Sequence, residues 1–393
     1  MRATEGETLT AQYGPGPELK RRLKTLHGWL MNEAYPRWAT QGYDRHHGGF
    51  QELLGSAGPI TGVARRARVQ VRQLYAFARA GELGWTGDAT EVLTGGWEYF
   101  LRNYRRADGL YRTLIAADGT VLDDRALLYD QAFVLLALAE AQRRGDAAFA
   151  PLAIATELRG RLFDLLKCAD SGYRSGLPDG LPLLSNPHMH LLEAVQTWTR
   201  IDPDPAWQSM ADEIVALALD RMIDPDLGAL FERFDEHWRA LGGDSDRWIE
   251  PGHQFEWAWL LLRACSPQSS NRLTEAAMRL VDFGETYGIH RGVAVMSLHA
   301  DLSVRDGQAR LWAQTERLKA ALALARLTHD ARHWNAATLA ANALWQFIAA
   351  SEPGLWHDRR SAEGELLAEP APASTFYHLV VAISEGLPDQ EAA

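Results

Sequence analysis

The chain has 393 residues, 47% hydrophobic and 23% charged, ordinary proportions for a globular protein with a large core. A formal charge of −11 and the lack of any basic run argue against nucleic acid as a partner. No apolar run reaches the roughly 18 to 20 residues of a membrane span, Met1–Pro17 has no apolar core of a secretion signal, and Cys168 and Cys265 are the only cysteines. The expectation is a cytoplasmic protein with no membrane partner and no disulfide framework.

Taken in order, a polar, Gly/Pro-rich segment over 1–16 is expected to be flexible, residues 17–386 to form a single domain, and 387–393 to form a flexible tail. Within 17–386 helical patterns come in pairs: 17–38 with 63–82, 88–105 with 123–143, 150–168 with 186–201, 205–222 with 251–265, 270–286 with 308–328, and 330–350 with 372–384. Pro17, Pro187 and Pro251 stand where a first helical residue needs no N–H, and Asn186 and Ser374 are expected N-caps. Between the members of each pair lies a glycine followed by a bulky residue: Gly49-Phe50, Gly109-Leu110-Tyr111, Gly172-Tyr173, Gly228 with Phe231, Gly288-Ile289 and Gly354-Leu355-Trp356, spaced by 56 to 66 residues. Alternating segments such as Leu110–Ile115 and Thr120–Leu122, split by Asp118-Gly119, predict small β-hairpins.

The second helices are the more apolar, yet each carries one embedded polar residue: Arg72, Asp130, His190, His253, Gln314 and His378, spaced by 58 to 64 residues. A buried polar group is costly unless paired, so six at equivalent places predict a shared polar cavity. The second helices therefore go inside and the charged first helices outside. The predicted fold is all-α, an (α/α)6 barrel with short β-hairpins over one mouth.

Two helix starts carry His-x-x-Glu pairs, His190 with Glu193 and His253 with Glu256, and residues three apart share a helical face. Glu256 is thus a candidate to orient His253 and tune it as a general base. His188 points away from His190 and reads as structural; His46-His47 lies in a loop, and no zinc-ligand spacing is present, so neither metal nor other cofactor is expected. Arg72 fits either a structural clamp on a carboxylate or a group that stabilises developing negative charge. Arg65, Arg66 and Arg68 fit either a solvated helix start or contacts to a substrate phosphate. Trp257 and Trp312 offer apolar ring faces suited to a pyranose.

In order and spacing, Gln70-x-Arg72, Tyr129-Asp130-x-Ala132-Phe133, Asn186-Pro187-His188-Met189-His190-Leu191-Leu192-Glu193, Pro251-Gly252-His253-x-x-Glu256-Trp257, Trp312-x-Gln314-x-Glu316 and Tyr377-His378 resemble the N-acylglucosamine 2-epimerase superfamily from about Trp29 to Glu385. The resemblance implies an (α/α)6 barrel acting without metal on a small sugar, with deprotonation beside the carbonyl by a histidine pair. It implies proton transfer by His253 and His378 and substrate contacts from Arg72 and His190. Taken with the residue patterns, the expected catalytic residues are His253, His378, Arg72 and Glu256, and the expected substrate contacts are His190, Asn186, Glu193, Asp130, Tyr129, Trp257, Trp312, Gln314 and Glu316. The expected reaction converts mannose to fructose through a cis-enediolate, with His253 as the base and His378 as its partner. Sugar 2-epimerisation, a glycoside hydrolase and a noncatalytic sugar-binding barrel remain as alternatives, and both monomer and homodimer stay open.

Overall fold

The computed structural model describes residues 14–145, 149–243, 247–264 and 270–387. The outer parts of the expected flexible ends, and Cys265, lie outside the described residues. Six helix pairs follow one another. α1 (Pro17–Trp29) runs through a π-helical turn at Leu30–Ala34 into α2 (Tyr35–Gln41) and pairs with α3 (Ala67–Ala80). Then come α4 (Thr90–Tyr104) with α5 (Leu128–Arg144), α6 (Pro151–Leu166) with α7 (Ser185–Trp198), and α8 (Pro205–Leu217) with α9 (Pro251–Arg263). α10 (Ser270–Tyr287) with α11 (Leu311–Thr328) and α12 (Ala331–Ala349) with α13 (Ala373–Glu385) complete the set.

The second members form a closed inner ring in which α3 packs on α5, α5 on α7, α7 on α9, α9 on α11, α11 on α13 and α13 on α3. Their sequences explain this position. From Asp130 to Ala141 every residue of α5 is buried, as a helix apolar on all sides requires. The outer helices bury a single stripe, as in Ala155, Leu158, Leu162 and Leu166 of α6 or Ala337, Ala340, Ala341, Leu344 and Phe347 of α12.

A second ring, of strands, closes over one mouth. The two residues that lead into each inner helix pair antiparallel with the loop of the next repeat: Arg65 with Ile115, Ala126 with Leu177, Leu183 with Phe234, Trp248 with His299 and Ala309 with Arg360. The sixth pairing, Leu53 with Pro372, returns to the first repeat. This delays the helix starts relative to expectation at α3, α5 and α11, and it replaces side-chain caps. The first helical N–H groups go to loop carbonyls, Ala67 to Thr113, Leu128 to Ser175, Ser185 to Glu232, Leu311 to Asp358 and Ala373 to Glu52. Asn186 and Ser374 are therefore inside their helices rather than N-caps, and both side chains are free to face the cavity.

The loops are held by one recurring contact. A buried glutamine in the first turns of an inner helix grips both backbone groups of one loop residue: Gln70 with Phe50, Gln131 with Tyr111, Gln254 with Leu230 and Gln314 with Ala294, at 2.7–3.0 Å. In the third repeat His188 accepts from the Tyr173 N–H at 2.9 Å. Two expectations change here. Gln314 is a clamp rather than a cavity residue, and in the fifth repeat the loop position equivalent to Phe50 is Ala294, displaced from Gly288 by the hairpin of Ile289–His290 with Val293–Ala294. Replacing Gln131 with alanine would strand a buried N–H and a buried C=O of Tyr111. It should lower unfolding stability by about 2 kcal/mol or more, against less than about 0.5 kcal/mol for alanine at the exposed Gln208, measured by chemical denaturation.

Candidate active site

The mouth opens onto a cavity of about 270 Å³. Each inner helix contributes to its wall or to the layer behind. α3 provides Arg72, α5 Tyr129, α7 Asn186 and His190, α9 His253 and Glu256, α11 Trp312, and α13 Ser374, Thr375 and His378. All stand in the first two turns of their helices, because the strand ring holds the six N-termini around the mouth. Those N-termini turn their positive ends toward the cavity, which favours negative charge developing there.

Arg72 is 4% exposed. Its guanidinium donates to the Tyr129 hydroxyl at 2.6 Å and to the Ser374 carbonyl at 3.3 Å, and it lies 4.0 Å from the centre of the Phe133 ring. Among the described residues it clamps no carboxylate, and it lines the cavity. Trp312 lies between the two expected catalytic histidines, with ring centres 5.1 Å from His253 and 5.9 Å from His378.

Those histidines sit in opposite electrostatic surroundings. His253 Nδ1 is 2.9 Å from Glu232 and 3.6 Å from Glu250. Burial lowers its basicity, but attraction to Glu232 and Glu250 outweighs burial and pushes its pKa up to about 10. His378 Nδ1 bonds to Glu316 at 2.8 Å. Here burial, together with the charges of Arg72 and Lys319, holds the imidazole well below its ordinary value, and it is neutral. His190 is also neutral, lowered by burial to about 3. Its Nδ1 is 3.6 Å from Glu256 and 3.7 Å from Glu193. Burial and the nearby Glu316 charge raise the Glu256 carboxyl far above its usual range, and neither of its oxygens has a hydrogen-bond partner among the described residues.

The sequence expectations divide accordingly. Arg72, Tyr129, Asn186, His190, His253, Glu256, Trp312 and His378 line one cavity. Glu193 and Glu316 lie behind its wall, on Tyr377 and His378 respectively. Three residues expected as substrate contacts are elsewhere. Asp130 is fully buried, accepts from the Thr113 hydroxyl and lies 3.5 Å from Arg68. Trp257 is buried in the core, and Gln314 clamps its loop. Glu256 does not orient His253; Glu232 does, while Glu256 faces His190. Arg65 and Arg66 are not a solvated face, since Arg65 is buried against Asp44 and Arg66 pairs with Glu52 at the rim.

Glu232, Glu250, Arg310 and Lys319 escaped the sequence reading. For Glu232 a signal existed: it stands two residues beyond the clamped Leu230, as Glu52 does beyond Phe50 and Thr113 beyond Tyr111, and each of these side chains turns to an inner helix start. Three groups of buried histidine and carboxylate atoms lie within 4.8 Å of one another, His190–Glu193–Glu256, Glu232–Glu250–His253 and Glu256–Glu316–His378. Histidine–carboxylate pairing accounts for their proximity, and we assign no metal ligand among them.

The model of the N-acylglucosamine 2-epimerase (GlcNAc 2-epimerase) family matches residues 48–382. A mannose-6-phosphate isomerase of Rhizobium meliloti (strain 1021) is 43% identical over 382 residues, covering 94% of this chain and 98% of that protein. Among solved structures, the cellobiose 2-epimerase of Spirochaeta thermophila superposes with a TM-score of 0.83 at 23% identity, over 96% of this chain and 98% of that one. A D-mannose isomerase superposes with a TM-score of 0.82 at 19% identity, over 96% and 99%. The fold, the order of the motifs along the chain and this sequence similarity agree, and the chain belongs to the N-acylglucosamine 2-epimerase family.

Proposed function

We propose that the protein is an aldose–ketose isomerase for a mannose-type hexose, working through a cis-enediolate. The observation that carries this reading is the pair of histidines lining one small polar cavity, His253 set 2.9 Å from Glu232 and His378 2.8 Å from Glu316, itself in contact with Lys319. A neutral His378, bonded at Nδ1 to Glu316, leaves Nε2 to take the proton from carbon 2 of the open-chain sugar. The protonated His253 gives a proton to the ring oxygen on opening or to the carbonyl oxygen as the enediolate forms. Arg72 and the six helix N-termini stabilise the anion. Return of the proton to carbon 1, with loss of the hydroxyl proton at carbon 2, yields the ketose. These roles exchange those expected from sequence, where His253 was the base; the cause is Glu232.

Return of the proton to the opposite face of carbon 2 would instead give the epimer, and the products distinguish the two. A glycoside hydrolase needs two carboxylates across the scissile bond. Glu250 and Glu256 line the cavity, but Glu250 serves His253, and Asp130, Glu193 and Glu316 are behind the wall. A 6-phosphate, as in the name of the Rhizobium relative, would meet rim arginines that already have acidic partners, Arg66 with Glu52, Arg310 with Asp358 and Arg359 with Glu369. This favours the unphosphorylated sugar.

In deuterated water, mannose should give fructose carrying solvent deuterium at carbon 1, read by NMR. Glucose with deuterium at carbon 2 would assign the epimerase instead, and no exchange with either mannose or mannose 6-phosphate would overturn both. Alanine at His253 or His378 should each lower turnover by about 10²- to 10⁴-fold with folding retained. Because His253 must be protonated, kcat/KM should fall as pH rises through about 10. Glu232→Gln removes its nearest negative charge, so that alkaline limb should move to lower pH; an unmoved limb would remove His253 from the role of acid.

A further inference from the structure

Beneath the cavity floor lies a charged group that the reaction above does not use. Lys319, on α11 one turn beyond Glu316, has no exposed surface. Its ammonium is in ion-pair contact with Glu316 and lies 3.9 Å from the centre of the Trp259 ring. Three buried carboxylates, Glu193, Glu256 and Glu316, act on it electrostatically. A fully buried lysine is costly unless paired, and long side chains of this kind are rare in cores.

We propose that Lys319 is a positioning residue that sets the tautomer of His378 through Glu316. The chain of contacts is continuous. One Glu316 oxygen meets Lys319, and the other lies 2.8 Å from His378 Nδ1 and accepts from the Thr315 hydroxyl at 3.2 Å. An ionised carboxylate only accepts hydrogen bonds, so His378 must carry its proton on Nδ1 and leave Nε2 bare toward the cavity. Burial raises the Glu316 carboxyl above its ordinary value, and Lys319 is the main force limiting that rise. Without the lysine, Glu316 takes up a proton and becomes a donor to Nδ1. The imidazole proton then moves to Nε2, and the lone pair that removes the carbon-2 proton is lost.

The other groups around His378 do not fill this role. Arg72 from α3 and Arg310 from the strand before α11 are cations that act on the imidazole electrostatically, but Arg310 is paired with Asp358 and Arg72 bonds Tyr129. From α7 come Glu193, bonded to Tyr377, and the neutral His190. From α9 comes Glu256, whose carboxyl burial raises well above its ordinary range and which faces His190, and His253, which lies across Trp312 with Glu232 as its partner. Among the described residues Lys319 is the cation in contact with Glu316.

This inference rests on His378 being the base, and its test separates the two. Lys319→Met should lower kcat at neutral pH by about 10²-fold or more with KM changed less than about threefold, and the loss should shrink as pH rises and Glu316 ionises again. Lys319→Arg should recover most of the rate. Imidazole ¹⁵N spectra should show the Nδ1–H tautomer of His378 in the wild type and Nε2–H in Lys319→Met. Should Lys319→Met not fold, Glu193→Gln with Lys319→Gln removes one charge of each sign and carries the same readouts. A folded variant with a wild-type pH profile and tautomer overturns the inference, as does an Nε2–H tautomer in the wild type. His378→Ala with normal turnover would instead overturn the underlying reading.

Discussion

The grip of an inner-helix side chain on a loop backbone is the contact on which the rest of the molecule depends. In four repeats a glutamine amide satisfies both the N–H and the C=O of a buried loop residue, groups that would otherwise be stranded in the core. Once the loop is fixed there, its next residues are fixed too. Two positions further on, the carbonyls of Glu52, Thr113 and Glu232 accept the first N–H of the preceding repeat's inner helix, and their side chains hang over an inner helix start. Glu232 reaches His253 by this route.

The same contact orients the helices. At about 100° per residue, the residue before the clamp and the residue two after it point away from the loop. His253 and Glu256 stand in those places around Gln254, and Arg72 and His190 stand two beyond Gln70 and His188. The clamp therefore decides which residues can face the sugar. Where the repeat holds an apolar group at such a place, as Phe133 does, the ring packs against Arg72 and His190 and helps to exclude water.

Excluding water from so many polar groups works against stability. Three carboxylates, one lysine and two neutral histidines are buried at or beneath the cavity floor, and desolvation of each ion costs several kcal/mol before pairing offsets it. Pairing also creates the difference that chemistry requires. Two carboxylates beside His253 hold it protonated, whereas beside His378 the nearest carboxylate is neutralised by Lys319 and cationic Arg72 adds its repulsion. On the proposed mechanism, two identical side chains thereby serve as an acid and a base within one cavity.

The helix pairs, the inner and outer assignment and the closed ring were legible in the sequence, because burial writes itself into a chain as periodicity and six repeats reinforce one another. The histidines and Arg72 were legible because polar residues interrupt apolar faces at a constant interval. Their partners were not. Helical spacing makes Glu256 the neighbour of His253 along one helix, but the loop brings Glu232 closer, and His378 takes its partner from a different helix. Gln314 shared the interval of the site residues, yet at about 100° per residue a place one or two residues off the cavity face turns it to the loop. Sequence by itself determined which residues are buried and polar; the tertiary structure alone decided which charges meet, because pairing across the ring depends on distances that no spacing along the chain encodes.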